Sequence, residues 1–131
     1  MKINVFLTFF LICVLSSTFT QIFAQYDTKV VHIVMIWLKE SGNQQHIENV
    51  IEATASLKDI PGVEEIRVGK SIPSDRLIVD DSFDIALYIV FDSNDDLERY
   101  LVHPKHVEVV KIILHPLAKK VLVYDFKDAG S

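Results

Sequence analysis

The chain has 131 residues, 50% of them hydrophobic and 24% charged, with 13 Lys and Arg against 18 Asp and Glu for a formal charge of −5. That length suits one domain with a core of its own. A net acidic chain without a basic run is excluded as a binder of nucleic acid or anionic lipid, since both partners need clustered cations.

Residues 1–24 read as an export signal. Lys2 supplies a small positive end, Ile3 to Leu15 is apolar apart from Asn4 and Thr8, and Ala24-Gln25 follows as a cleavage point. The apolar stretch is too short to span a bilayer, which needs about 20 residues. Bulky Ile12 before Cys13 argues against a lipidated cysteine. The expected product is exported, periplasmic or secreted, with no stable membrane anchor. Residues 25–131 then form one domain carrying 12 basic and 18 acidic side chains, a formal charge of −6. The only cysteine, Cys13, leaves with the signal, so the domain relies on core burial and has no thiol nucleophile.

Val30 to Leu38 is a short β-branched run and predicts a strand. Both of its alternating sets are apolar: Val30, Val34, Ile36 and Leu38 share one face with His32, and Val31, Ile33, Met35 and Trp37 share the other. Gly42 ends the run and Asn43 can cap a helix over about Gln44–Lys58, in which Ile47, Val50, Ile51, Thr54 and Leu57 recur at helical spacing. Pro61-Gly62 marks a turn into a second strand, Val63–Lys70. A polar loop follows, containing the apolar patch Leu77-Ile78-Val79, which suits a ribbon edge or a contact with a second subunit. The third strand is Phe83–Phe91, with Phe83, Ile85, Leu87, Ile89 and Phe91 on one face and Asp84, Ala86, Tyr88 and Val90 on the other. Ser93, with Asp96 three residues on, can start a helix over Asp95–Val102. Pro104 is forbidden inside a helix but suits its first position, so a second helix runs Pro104–Leu114. Pro116 closes it, and Val121–Phe126 is the last strand.

The order βαββαβ predicts an α+β, ferredoxin-like sandwich with helices on one face of an antiparallel sheet. Strands apolar on both faces leave an apolar sheet surface with no helix to cover it, and such a surface marks an interface. The expected partner is a second copy of the chain, packed sheet to sheet.

The stretch Tyr100-Leu101-Val102-His103-Pro104-Lys105-His106 joins the two predicted helices and gathers a phenol and two imidazoles, groups that exchange protons near neutral pH. Tyr100, three residues after Leu97, points to the apolar side, equally as a core tyrosine or a site residue. His106 shares its helical face with Val110, Ile113 and Leu117 and also points inward. His103 is a pocket candidate with the weakest claim, because it also caps the helix at Pro104. His32 reaches the same space if its strand face is the helix-covered one, which periodicity cannot decide. His46 and His115 read as surface residues, the latter suiting a helix end. A metal site is not expected: the break at Pro104 separates His103 from His106, and no third ligand stands at suitable spacing.

The segment FDSNDDLERYLVHPKHVEVV from Phe91 resembles the signature of the stress-responsive α/β-barrel (Dabb) family. Val31-His32-Ile33-Val34, Ile60-Pro61-Gly62-Val63, Asp84-Ile85-Ala86-Leu87 and Val123-Tyr124-Asp125-Phe126 fit the same pattern in order, so the likeness covers roughly Val30 to Lys127. It implies a stress-response domain forming a dimeric α/β barrel without a cofactor. In a family member that cyclises a linear polyketide, a tyrosine and a histidine in this Y-x-x-H-P-x-H context form the catalytic pair. Carried over, His106 is the general base and Tyr100 the donor to the oxygen where charge develops. His32 matches a further pocket histidine, while Ile85 replaces another. Most members have no established activity. Two functions follow: an exported homodimer binding a small apolar or aromatic molecule, or a cofactor-independent cyclase or lyase acting on a carbonyl substrate.

Overall fold

The structure, a computed structural model, describes residues 28–130; the expected signal, residues 1–24, lies outside them. Four antiparallel strands form one sheet in the order β2-β3-β1-β4: β1 (Val30–Leu38), β2 (Val63–Lys70), β3 (Ile85–Phe91) and β4 (Ala118–Lys127). Helices α1 (Gln44–Ala55), α2 (Asn94–Val102) and α3 (Pro104–Val109) cover one face. This is the ferredoxin-like architecture. One chain contributes an open sheet, not a closed barrel.

The alternation in β1 decides the layers. Val30, Val34, Ile36 and Leu38 are buried in one core with Ile47, Val50 and Leu57 under α1 and with Leu97, Tyr100 and Val109 of α2 and α3. His32 shares that face and is also buried. Across the sheet the same layer continues through Ile85, Leu87, Ile89 and Phe91 of β3. Each fully buried aliphatic side chain contributes roughly 1.5–3 kcal/mol. The opposite face carries Val31, Ile33, Met35 and Trp37 beside Tyr88, Leu122, Tyr124 and Phe126, and none of the described helices covers it.

Local signals act where chemistry requires them. Asn43 Oδ1 accepts the His46 N–H at 3.1 Å and starts α1. Ser93 Oγ accepts the Asp96 N–H at 3.2 Å and starts α2. Gly62 has φ +93°, and a Cβ there would meet the Asp96 carboxylate at 2.7 Å, so the Pro61-Gly62 turn packs against the start of α2 only because it lacks a side chain.

Several boundaries differ from expectation. α1 tightens into a 3₁₀ turn, Ser56–Asp59, where Lys105 Nζ bonds the Ser56 carbonyl and the Asp59 carboxylate. α3 widens into a π turn, Val110–Leu114, and then a short turn, His115–Leu117, so Pro116 does not close the helix and β4 begins at Ala118. The patch Leu77-Ile78-Val79 is not a strand; Leu77 and Ile78 stand fully exposed in a turn closed by Val79 N to Arg76 O. His46 is half-buried, not a surface residue: its Nδ1 is enclosed without a partner among the described residues. His115 is exposed as expected.

β3 begins at Ile85, because Asp84 leaves the strand alternation to serve another end. Asp84 is buried, and its carboxylate accepts the Leu38 N–H at 2.7 Å, the Gly42 N–H at 2.8 Å and the Ser41 hydroxyl at 2.8 Å. Phe83 correspondingly packs edge-on against Trp37 of the uncovered face. Burial alone would raise the Asp84 pKa, but its three donors outweigh it and hold the group below the usual carboxylate range. Asp84→Ala should therefore lower the unfolding free energy by about 2–4 kcal/mol, read by urea denaturation. The sign is that of a depressed carboxylate: its contribution is present above the unfolded value near 3.9 and is lost as pH falls through the folded value. An unchanged midpoint would show that these bonds are not needed to close the end of β1.

Candidate functional site

The site lies between the sheet and the join of α2 and α3. Pro104 ends α2 by the geometry expected of it: His103 is at once the last cap of α2 and the first of α3, and its Nδ1 accepts the Lys105 N–H at 3.2 Å. The ring of His103 is thus committed to the cap and does not line the cavity beneath. Tyr100, one turn earlier, points inward and is buried; His106, in the first turn of α3, lies against it with ring centroids 4.5 Å apart. His32 reaches up from β1, its ring 6.1 Å from Tyr100. Tyr100, His106 and His32 therefore converge.

They share a cavity of about 260 Å³. The rest of its wall is almost wholly apolar, with Val34 and Leu87 from the sheet, Leu57 from the turn after α1, Val110 and Leu114 from the π turn, and Val123 from β4. Val121 and Val123 are 41% and 43% exposed, so the cavity opens beside β4. The π turn sits at this wall. Such turns recur at functional sites because the extra residue shifts which side chains face inward.

The hydrogen bonds fix each polar group's role. His106 Nδ1 lies 2.9 Å from the Leu101 carbonyl, which only accepts; the nitrogen therefore carries the proton, and Nε2 of the neutral ring has a free lone pair. Burial lowers the His106 pKa below the usual histidine value, aided by His32 and His103 and opposed by the Leu101 bond. His32 Nδ1 donates to Asp125 Oδ1 at 2.6 Å, which holds its ring in one orientation. Burial pushes the Tyr100 phenol far above its ordinary range, so it stays protonated. Its hydroxyl has no hydrogen-bond partner among the described residues and can donate to an oxygen of a guest. A donor and a weakly basic nitrogen thus stand side by side in an apolar space.

Asp125 is the member of this group that sequence reading did not single out. Its signal was the β1–β4 register, which sets His32 opposite Asp125 and is invisible until the strands pair. Ile85, in the position of a second family histidine, is fully buried core. Among the described residues no group of three or more His, Cys, Asp or Glu side chains is placed to hold a metal.

A ferredoxin-like sandwich with an apolar cavity under a Y-x-x-H-P-x-H join defines a class of small α+β domains. The chain belongs to the Dabb family, the stress responsive A/B barrel domain, whose profile matches residues 30–128. No curated protein matches it. Among solved structures it is similar to a dimeric protein of unknown function with a ferredoxin-like fold from Bacteroides fragilis, at 28% identity and a TM-score of 0.62 over 76% of this chain and 95% of that one. It is also similar to the hydroxynitrile lyase of Passiflora edulis, at 25% identity and a TM-score of 0.66 over 79% and 95%. A Dabb family protein from Mesorhizobium loti shares the fold at 22% identity, with a TM-score of 0.65 over 79% and 99%.

Proposed function

We propose that the protein is an exported homodimer that binds a small, mainly apolar or aromatic molecule in the cavity beneath Tyr100. One observation carries this reading: an apolar cavity of about 260 Å³ lined by two imidazoles and by Tyr100, whose hydroxyl has no hydrogen-bond partner among the described residues. Small-molecule sites have this composition, apolar walls with a few convergent polar groups that fix orientation. The uncovered sheet face supports the dimer, as do the dimeric relatives.

Native mass spectrometry tests the reading. The expected spectrum is a dimer that retains a co-purifying molecule or takes up N-phenyl-1-naphthylamine, with uptake lost in Val123→Trp, which fills the cavity. A dimer that takes up neither contradicts it. Export has its own test: secreted from a bacterium under its own N-terminus, the protein should begin near Gln25, and full-length chain in the membrane fraction would refute this.

A second reading, proton transfer at a carbonyl substrate, draws on Tyr100 and His106 lining one cavity. His106 Nε2 would take a proton α to the carbonyl and the Tyr100 hydroxyl would hold the oxygen on which charge develops. The likeness to a hydroxynitrile lyase shows that this fold carries lyase activity in one relative. Binding is the primary reading because the rings of Tyr100 and His106 pack against each other and do not face across the void.

A further inference from the structure

The cavity does not end at Val121. A second groove of about 370 Å³ adjoins it, sharing Val110, Leu114 and Val121 as wall, and four of its lining residues are Lys39, His115, Lys119 and Lys120. No acidic residue lines it. That is unusual for a chain with 18 acidic and 13 basic side chains.

Two of the lysines are already engaged. Lys39 Nζ donates to the Pro116 carbonyl at 2.7 Å, offsetting the negative end of the helix there, and Lys120 Nζ lies 4.2 Å above the Trp37 ring. Lys119 makes no ion pair or hydrogen bond through its side chain among the described residues. Its backbone is irregular too. Trp37 pairs with Lys120 and Leu38 with Ala118, so Lys119 is the extra residue of a β-bulge. A bulge re-aims a side chain that regular alternation would send elsewhere, and bulges cluster beside binding sites. The strand irregularity, the free ammonium and the shared wall all fall at the one end of β4 where the cavity opens.

We infer that the ligand is an amphipathic anion, with its apolar body in the cavity and a carboxylate or comparable oxyanion held at this basic mouth by Lys119. The inference rests on the cavity being a ligand site. It adds a charge and an orientation: the anionic end faces outward beside β4 and the apolar end lies inward near Tyr100 and His106. The acidic remainder of the surface repels such a ligand and leaves this mouth as its favourable entry.

Decanoate and decanol test it, because they share a chain and differ in charge. Each is titrated at low salt against the exported protein loaded with N-phenyl-1-naphthylamine. Decanoate should displace the probe at about five- to tenfold lower concentration than decanol, and added salt should narrow that difference. Lys119→Glu should remove the preference while leaving decanol unchanged, and Lys119→Gln should give an intermediate value. Equal displacement by the two compounds in the wild type would overturn the inference and leave the cavity reading standing. A Lys119→Glu variant that weakens both equally would overturn it in the same way. Failure of the probe to bind, or binding unaffected by Val123→Trp, would instead remove the cavity reading and the inference with it.

Discussion

His106→Ala should lose its ligand and keep its fold. The ring is half-buried, packs against Tyr100 and is hydrogen-bonded only to Leu101, so its removal should cost no more than about 1 kcal/mol of unfolding free energy, as binding-site residues are seldom optimised for stability. Binding of N-phenyl-1-naphthylamine should weaken at least tenfold, about 1.4 kcal/mol. Tyr100→Phe is the cleaner companion, because it keeps the buried ring and deletes a hydroxyl that has no protein partner among the described residues. Its stability should match the wild type or exceed it slightly. Binding of acetophenone, whose carbonyl offers an oxygen to that hydroxyl, should fall. Losses of about 2–3 kcal/mol in both variants, the range of a disrupted core, would make the pair structural. The pH dependence has a definite sign. The folded pKa of His106 lies below the unfolded value, so its contribution to stability is full above about pH 6.5 and is lost as pH falls from there through the folded value. The His106 resonances in an NMR titration should move below the ordinary histidine range, and any binding or turnover that needs the neutral ring should persist to that lower pH. A histidine that titrates at or above 6.5 would contradict this.

Tyr88→Lys should convert the dimer to monomer. Tyr88 is 37% exposed at the middle of the uncovered face, between Arg67 and Ile33 in register. A stable interface there buries on the order of 1,600 Å². A lysine would bring an unpaired charge into that interface beside Arg67, and two-fold symmetry repeats the cost in both subunits. Sedimentation should report a dissociation constant raised a hundredfold or more, about 3 kcal/mol. Trp37, the only tryptophan, lies on the same face, and its emission should shift to longer wavelength as the subunits part. The monomer itself should remain folded, because Tyr88 lies outside the helix-covered core. A compact wild-type monomer at micromolar concentration would refute the dimer.

What the sequence determined by itself was local. Alternation in Val30–Leu38, the caps Asn43 and Ser93, and the exclusion of Pro104 from a helix interior each depend on neighbours a few residues away, and each stands in the structure as read. The inward direction of Tyr100 and His106 followed from the same helical spacing. The site's remaining members were decided by the tertiary structure. Periodicity shows that β1 has two apolar faces but is blind to which one the helices cover, and that choice alone brings His32 to the cavity. Asp125 meets His32, and Lys119 falls in a bulge, through the register of β4 on β1, a pairing between residues about ninety positions apart. Asp84 departs from its strand because the amides of Leu38 and Gly42 need an acceptor that only folding brings near. The π turn at Val110–Leu114 joins a helix pinned at Pro104 to a strand whose place is fixed by β1, so its extra width answers to the sheet and leaves no mark in the local sequence.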